Sequence, residues 1–82
     1  MSEFDKPARG SIWIHWKGAR YIVVGVGRDR SNKWPVRGLL VAYIAVNDPD
    51  EELHFRHLKE WHDPVAVPNT GGRYTMPRFR PE

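Results

Sequence analysis

The sequence predicts an all-β domain, a small antiparallel sheet or barrel. Three observations carry this. Apolar residues alternate with period two in several short segments. Turn signals rich in Gly, Asn, Asp and Pro separate those segments at about ten-residue spacing. The 82-residue chain has no long amphipathic stretch of helical period.

The elements follow in order. Ser11–Trp16 (SIWIHW) places Ile12, Ile14 and Trp16 on one face and Trp13 and His15 on the other. Lys17-Gly18 makes a tight connection, with glycine free to adopt positive φ. Arg20–Gly27 (RYIVVGVG) is rich in β-branched residues, and its two glycines weaken the strand or mark a bulge. Asp29–Pro35 lacks periodicity and reads as part of an exposed loop from Arg28. Arg37–Val46 (RGLLVAYIAV) is a strand with two apolar faces, and Asn47–Asp50 (NDPD) turns the chain. Glu51–His57 sets Leu53 and Phe55 against His54 and Arg56. Leu58–Pro64 has room for a single helical turn. Val65–Val67 and Arg73–Met76 are brief strands about the NTGG turn, and Pro77 ends the second. The tail PRFRPE is polar except for Phe79, which is expected to pack back onto the body.

A 9.6 kDa chain forms one domain, residues 1–82, with 1–10 and 80–82 expected as peripheral tails. The second apolar face of the third strand needs cover. Either a terminal segment or a second copy supplies it, and a homo-oligomer is expected. There is no cysteine, which excludes a disulfide framework, zinc–thiolate sites and a cysteine nucleophile. No apolar run approaches the roughly 20 residues of a membrane span, and the first ten residues lack the apolar core of a leader. A cytoplasmic protein with no membrane partner is expected.

Charge is distributed unevenly. Residues 1–37 carry a net +5, residues 38–72 a net −4 and residues 73–82 a net +2. The basic front therefore argues for local anion binding, and the acidic middle argues against a continuous nucleic-acid track. Arginine outnumbers lysine nine to four, which favours planar recognition of carboxylates and phosphates.

Four kinds of chemistry find little support. His54-x-x-His57 with His62-Asp63 has ligand chemistry, but residues three apart on a strand face opposite ways, so no metal site is expected. Serine occurs only at 2, 11 and 31, without a nucleophile elbow. Asp48, Asp50, Glu51 and Glu52 lie in a turn. Gly25, Gly27 and Arg28 begin a dinucleotide fingerprint but lack its third glycine and its helix. No catalytic residue and no cofactor are assigned.

Alternation leaves aromatics and arginines off the expected core: Trp13, His15, Arg28, Arg30, Trp34, His54, Arg56 and Arg78. Aromatic faces stack on bases and arginine forks grip phosphates. From this set we assign His15, Arg28, Arg30, Trp34, Arg56 and Arg78 to a site for a small anionic, nucleotide-type ligand. Trp13 and Trp16 have core or subunit-interface positions as their alternative, whereas Tyr21, Tyr43 and Trp61 read as structural. Nucleic-acid binding and protein–protein interaction are the competing functions.

Several motifs, taken together, resemble the bacterial and phage domain-of-unknown-function family 1653. His15-Trp16-Lys17-Gly18 with Tyr21, Val23 and Gly25 is similar to that family's opening H-(Y/W)-K-G-x-x-Y-x-V-x-G. Leu39–Tyr43, Leu53–Trp61 and Met76–Phe79 resemble its V-V-Y, L-W-V-R-P-x-x-x-F and P-R-F segments. The resemblance spans residues 11–79. It departs at the loop RDRSNKWPVRG and at His57, which stands in place of a proline. It implies a small SH3-like five-stranded antiparallel barrel with a short helical turn, no established catalytic activity, and a bacterial or phage setting. In a phage, such a binder would sequester a host immune nucleotide signal.

Overall fold

A computed structural model describes residues 5–28 and 38–82. The elements are β1 (Ile12–His15), β2 (Arg20–Arg28), β3 (Leu39–Ala45), β4 (Leu53–His57), α1 (Leu58–His62), β5 (Pro64–Ala66), β6 (Thr75–Pro77) and β7 (Phe79–Pro81). Five strands form one antiparallel sheet in the order β4-β3-β2-β1-β7, and β5 pairs with β6 in a two-stranded ribbon. The fold is all-β with one short helix. Among the described residues β4 and β7 remain the edges of the sheet, so the ladder does not close into a barrel.

Local chemistry sets the turns. Gly18 adopts φ +103°, a conformation that penalises any residue with a Cβ, and its N–H donates to the His15 carbonyl at 2.7 Å. The Asp48 carboxylate accepts the N–H groups of Asp50 at 2.9 Å and Glu52 at 3.2 Å, which holds the β3–β4 connection in an Asx-type turn. In the β5–β6 connection, Thr70 Oγ1 donates to the Val67 carbonyl at 2.7 Å. The five residues of α1 make one turn, with Leu58 and Trp61 buried at i and i+3.

The β2 glycines do mark a bulge. Val23 pairs with Tyr43, but Gly25 pairs with Ala42, so Val24 is the extra residue. Its insertion switches the phase of the strand. Tyr21 and Val23 face the core before it, and Val26 packs against the core after it.

The core comprises Trp13, Val23, Val41, Tyr43, Leu58, Trp61 and Phe79. This reverses the expected orientation of two strands. Trp13 is buried, and it carries His15 to the inner face with it. Likewise His54 and Arg56 lie opposite Tyr43 and Val41 and point inward. The displaced set forms the outer face, where Leu53 and Phe55 are 48% and 62% exposed. The reason is volume. Both faces of β1 and β3 are apolar, and the aromatic set fills the space beneath α1 and β7.

The C-terminal segment is also more structured than expected. Phe79 does pack back, at 5% exposure. Beyond it, Arg80 and Pro81 pair with Ile14 and Trp13, and the Glu82 N–H donates to the Ile12 carbonyl at 3.0 Å. Residues 80–82 are therefore part of the sheet edge. At the other end, the Gly10 N–H donates to the Val23 carbonyl at 2.7 Å, and the Asp5 carbonyl lies 2.6 Å from His62 Nε2. No helix among the described residues is long and apolar enough to cross a membrane.

Candidate binding site

An aromatic floor lies on the inner face where β1, β2, β3, β4 and β7 converge. Tyr21 meets Tyr43 edge-on at 5.1 Å, and His54 stacks on Tyr43 at 5.5 Å with 26° between planes. Phe79 stacks on Trp61 at 3.9 Å and meets His15 edge-on at 5.1 Å. The inner faces of neighbouring strands supply these rings, as strand pleating requires, except for Trp61, which comes from α1.

Cations surround this floor. The Arg56 guanidinium carbon stands 5.7 Å from the centre of the Phe79 ring, and its Nε donates to the Tyr43 hydroxyl at 3.4 Å. The Glu60 carboxylate comes only within 3.9 Å of it, one helical turn along the chain. The Arg78 carbonyl accepts the Trp16 N–H at 2.9 Å, which pins that arginine beside the β1–β2 turn. Arg78 Nε is buried and meets no acceptor among the described residues. Lys17 Nζ lies 5.2 Å from the centre of the Trp16 ring.

The electrostatics of His15 report this crowding. Burial lowers its pKa below the ordinary value, and the positive charges of Arg56, Lys17 and Arg78 lower it further. Its Nδ1 accepts the Lys17 N–H at 3.2 Å, which leaves the proton of the neutral ring on Nε2. A neutral imidazole donor and, around it, two guanidinium groups and an ammonium group therefore gather beside the stacked rings. Such a set supplies the hydrogen-bond donors and positive charge that an anion requires.

Of the six residues assigned from sequence, the structure brings together His15, Arg56 and Arg78. Arg28 does not join them. It ends β2 opposite Leu39 and borders a separate groove of about 310 Å³ on the outer face. Arg30 and Trp34 lie outside the described residues. Lys17, Tyr43 and Phe79 were missed as site components. Lys17 counted in the basic front and as a turn residue without being assigned to the site, and Phe79 was read as a packing residue in a polar tail. A further cleft of about 540 Å³ lies behind Phe79 between β6, β7 and the end of α1. It is walled by prolines and Met76 and has Arg80 as its cation.

The histidines do not assemble for metal binding. His54 is stacked on Tyr43, and His62 is engaged with the Asp5 carbonyl. Among the described residues no three His, Asp or Glu side chains gather in a metal-binding group.

No family model, no curated protein and no solved structure matches the chain.

Proposed function

We propose that the protein is a non-catalytic binding module that captures a small anionic ligand of nucleotide type on the inner aromatic face. The observation that carries this reading is the convergence of Arg56 and Arg78 on His15 above the Phe79–Tyr43 floor. The Arg78 guanidinium has a buried N–H aimed at no acceptor among the described residues. Glu60 is too distant from Arg56 for a short hydrogen bond. A bound phosphate would satisfy both arginines, and a base would extend the stack of rings.

The five-stranded sheet is read as an SH3-like barrel. That reading follows the resemblance to family 1653, with α1 set against β3 through the Trp61–Tyr43 contact. On that reading the setting is a bacterial or phage cytosol, and a phage-borne copy would remove a host nucleotide signal by stoichiometric capture.

A thermal-shift screen against a nucleotide library, including cyclic and ADP-ribose-derived signals, tests the proposal. A stabilising hit that Arg56→Ala abolishes, with the fold intact, supports it. A hit that binds Arg56→Ala and Arg78→Ala as well as the parent chain overturns the site. Retardation of DNA or RNA with affinity falling steeply in salt would favour a nucleic-acid surface instead. Capture of a protein with no nucleotide response would favour an interaction module.

A further inference from the structure

Two arginines of this sheet meet a carboxylate in different ways. Arg20 grips Glu82 with a closed fork, its Nε donating at 2.7 Å and a terminal nitrogen at 2.8 Å. Arg56 also has a glutamate beside it, yet its Nη1 stays 3.9 Å from Glu60 Oε2, outside hydrogen-bond range. The chain builds a bidentate pair at one arginine and leaves the other pair open.

The position of Arg56 does not depend on Glu60. Its Nε donates to the Tyr43 hydroxyl at 3.4 Å, and its guanidinium carbon lies 5.7 Å from the centre of the Phe79 ring. Tyr43 and Phe79 are both buried, so they hold the fork from within. With Nε committed, the end-on edge of Nη1 and Nη2 remains. Among the described residues neither terminal nitrogen donates a hydrogen bond. That edge is within reach of solvent, because the Arg56 side chain is 27% exposed and the Glu60 side chain beside it 54%. Leu58 and Trp61 anchor the other side of α1, and the Glu60 carbonyl accepts the Asp63 N–H at 3.3 Å. The Glu60 backbone is thus fixed while its side chain can swing. Its carboxylate has attraction to Arg56 but no directed bond, and an exposed pair of that kind is weak.

We propose that Glu60 is a resident counter-ion that a phosphoryl group must displace to reach the end-on edge of Arg56, an inference that rests on the inner face being an anion site. Two phosphoryl oxygens take Nη1 and Nη2 in charge-assisted bonds of the kind that Arg20 makes with Glu82. The Glu60 side chain turns into water. The competitor sets a threshold for binding. A neutral ligand, or one that offers a single acceptor, does not offset the lost attraction between Arg56 and Glu60. A phosphoryl group offers two charged oxygens and does. Glu60 is accordingly a specificity residue that never needs to touch the ligand.

Calorimetric titration with inorganic pyrophosphate at low ionic strength tests this in the parent chain, Glu60→Gln and Arg56→Gln. Glu60→Gln keeps the shape and helix propensity of the side chain and removes its charge. It is expected to bind about two- to fivefold more tightly than the parent, the range of an exposed ion pair. The gain is expected to shrink as salt is raised. Unchanged or weaker binding by Glu60→Gln overturns the proposal, since loss of a competitor must help and loss of a positioning residue must harm. The Arg56 Nε–H signal in nuclear magnetic resonance gives a second readout that needs no ligand. It is expected to exchange with water at the same rate in the parent and in Glu60→Gln, because Tyr43 and Phe79 hold the fork. Faster exchange in Glu60→Gln makes Glu60 the residue that positions Arg56 and overturns its role as competitor. The site itself is judged by Arg56→Gln, which is expected to lose most of the binding. If Arg56→Gln binds pyrophosphate as the parent does, or if no chain binds it, the inner-face site fails and the competitor with it.

Discussion

The Trp61 indole lies flat on the Phe79 ring, with centroids 3.9 Å apart and planes 7° from parallel. This stack ties α1 to β7, two elements that make no backbone ladder with each other. Trp61 has no exposed surface, and Phe79 has 5%.

Removing the ring should therefore open a cavity at the centre of the molecule. Phe79→Ala is expected to cost about 3–5 kcal/mol, measured by urea denaturation. The Trp61 emission should shift to the red as water reaches it. Phe79→Leu, which retains most of the volume, should lose less stability. A Phe79→Ala chain as stable as the parent would contradict the assigned core.

The two arginines should separate by geometry. Arg56 lies over the Phe79 ring and donates to the Tyr43 hydroxyl. Arg56→Lys preserves charge but loses the planar fork, and it is expected to weaken nucleotide binding nearly as much as Arg56→Ala. Calorimetric titration of the two variants checks this. Full affinity in Arg56→Lys would mean that only charge is read.

His15 makes stability depend on pH. Burial first, and then Arg56, Lys17 and Arg78, hold its folded-state pKa below the ordinary 6.5. Between those two values the unfolded chain binds more protons, so folding stability rises with pH there. The penalty is complete below the folded pKa and disappears above about 6.5. Urea midpoints should therefore fall on acidification from pH 7, and His15→Gln should remove part of that slope. An anion seated beside His15 favours its protonated form, so binding should take up a proton and tighten as pH falls. A proton-neutral binding reaction would contradict contact between ligand and His15.

Gly18 should be intolerant for a backbone reason. At φ +103° a Cβ is strained even though no neighbouring atom crowds it. Gly18→Val is expected to cost about 1–2 kcal/mol, whereas Gly25→Ala, in ordinary strand geometry, should be neutral or stabilising within one chain. Equal losses at both positions would show that packing, and not dihedral strain, governs these glycines.

Much of the fold is legible in the sequence. Period-two alternation located β1 to β4, and the NDPD and NTGG turns separated the strands. The buried Leu58 and Trp61 are the single helical turn expected from a short segment. What alternation did not reveal was orientation. It divides Ile12 and Ile14 from Trp13 and His15, but when both sets are apolar or aromatic it is silent about which set faces inward. On β1 the larger ring, Trp13, went inside; on β4 the register with β3 set His54 and Arg56 beside Tyr43 and Val41 and left Phe55 outside. The Val24 bulge then changed the phase midway along β2, beyond the reach of any fixed period. β7 was missed because Phe79-Arg80-Pro81 has little strand propensity of its own. It is a strand because β1 offers it an edge. The same inversion explains the site. His15, Arg56 and Arg78 were chosen for lying off the core, yet they are together because the core's aromatic face is where they emerge.

The ladder between β1 and β7 has a consequence for how the molecule assembles. Neighbouring strands β1 to β4 can zip together through short connections, each closing a small loop. Pairing Trp13 with Pro81 must instead close nearly the whole described chain on itself, and it loses that entropy before any contact repays it. The hairpins should thus form first, with docking of Phe79 as the concluding step. Until then the Trp61 face is wet and Arg56 lacks the ring it lies over. Competence to bind should therefore appear in refolding only with the slowest phase, together with the quenching or shift of Trp61 emission.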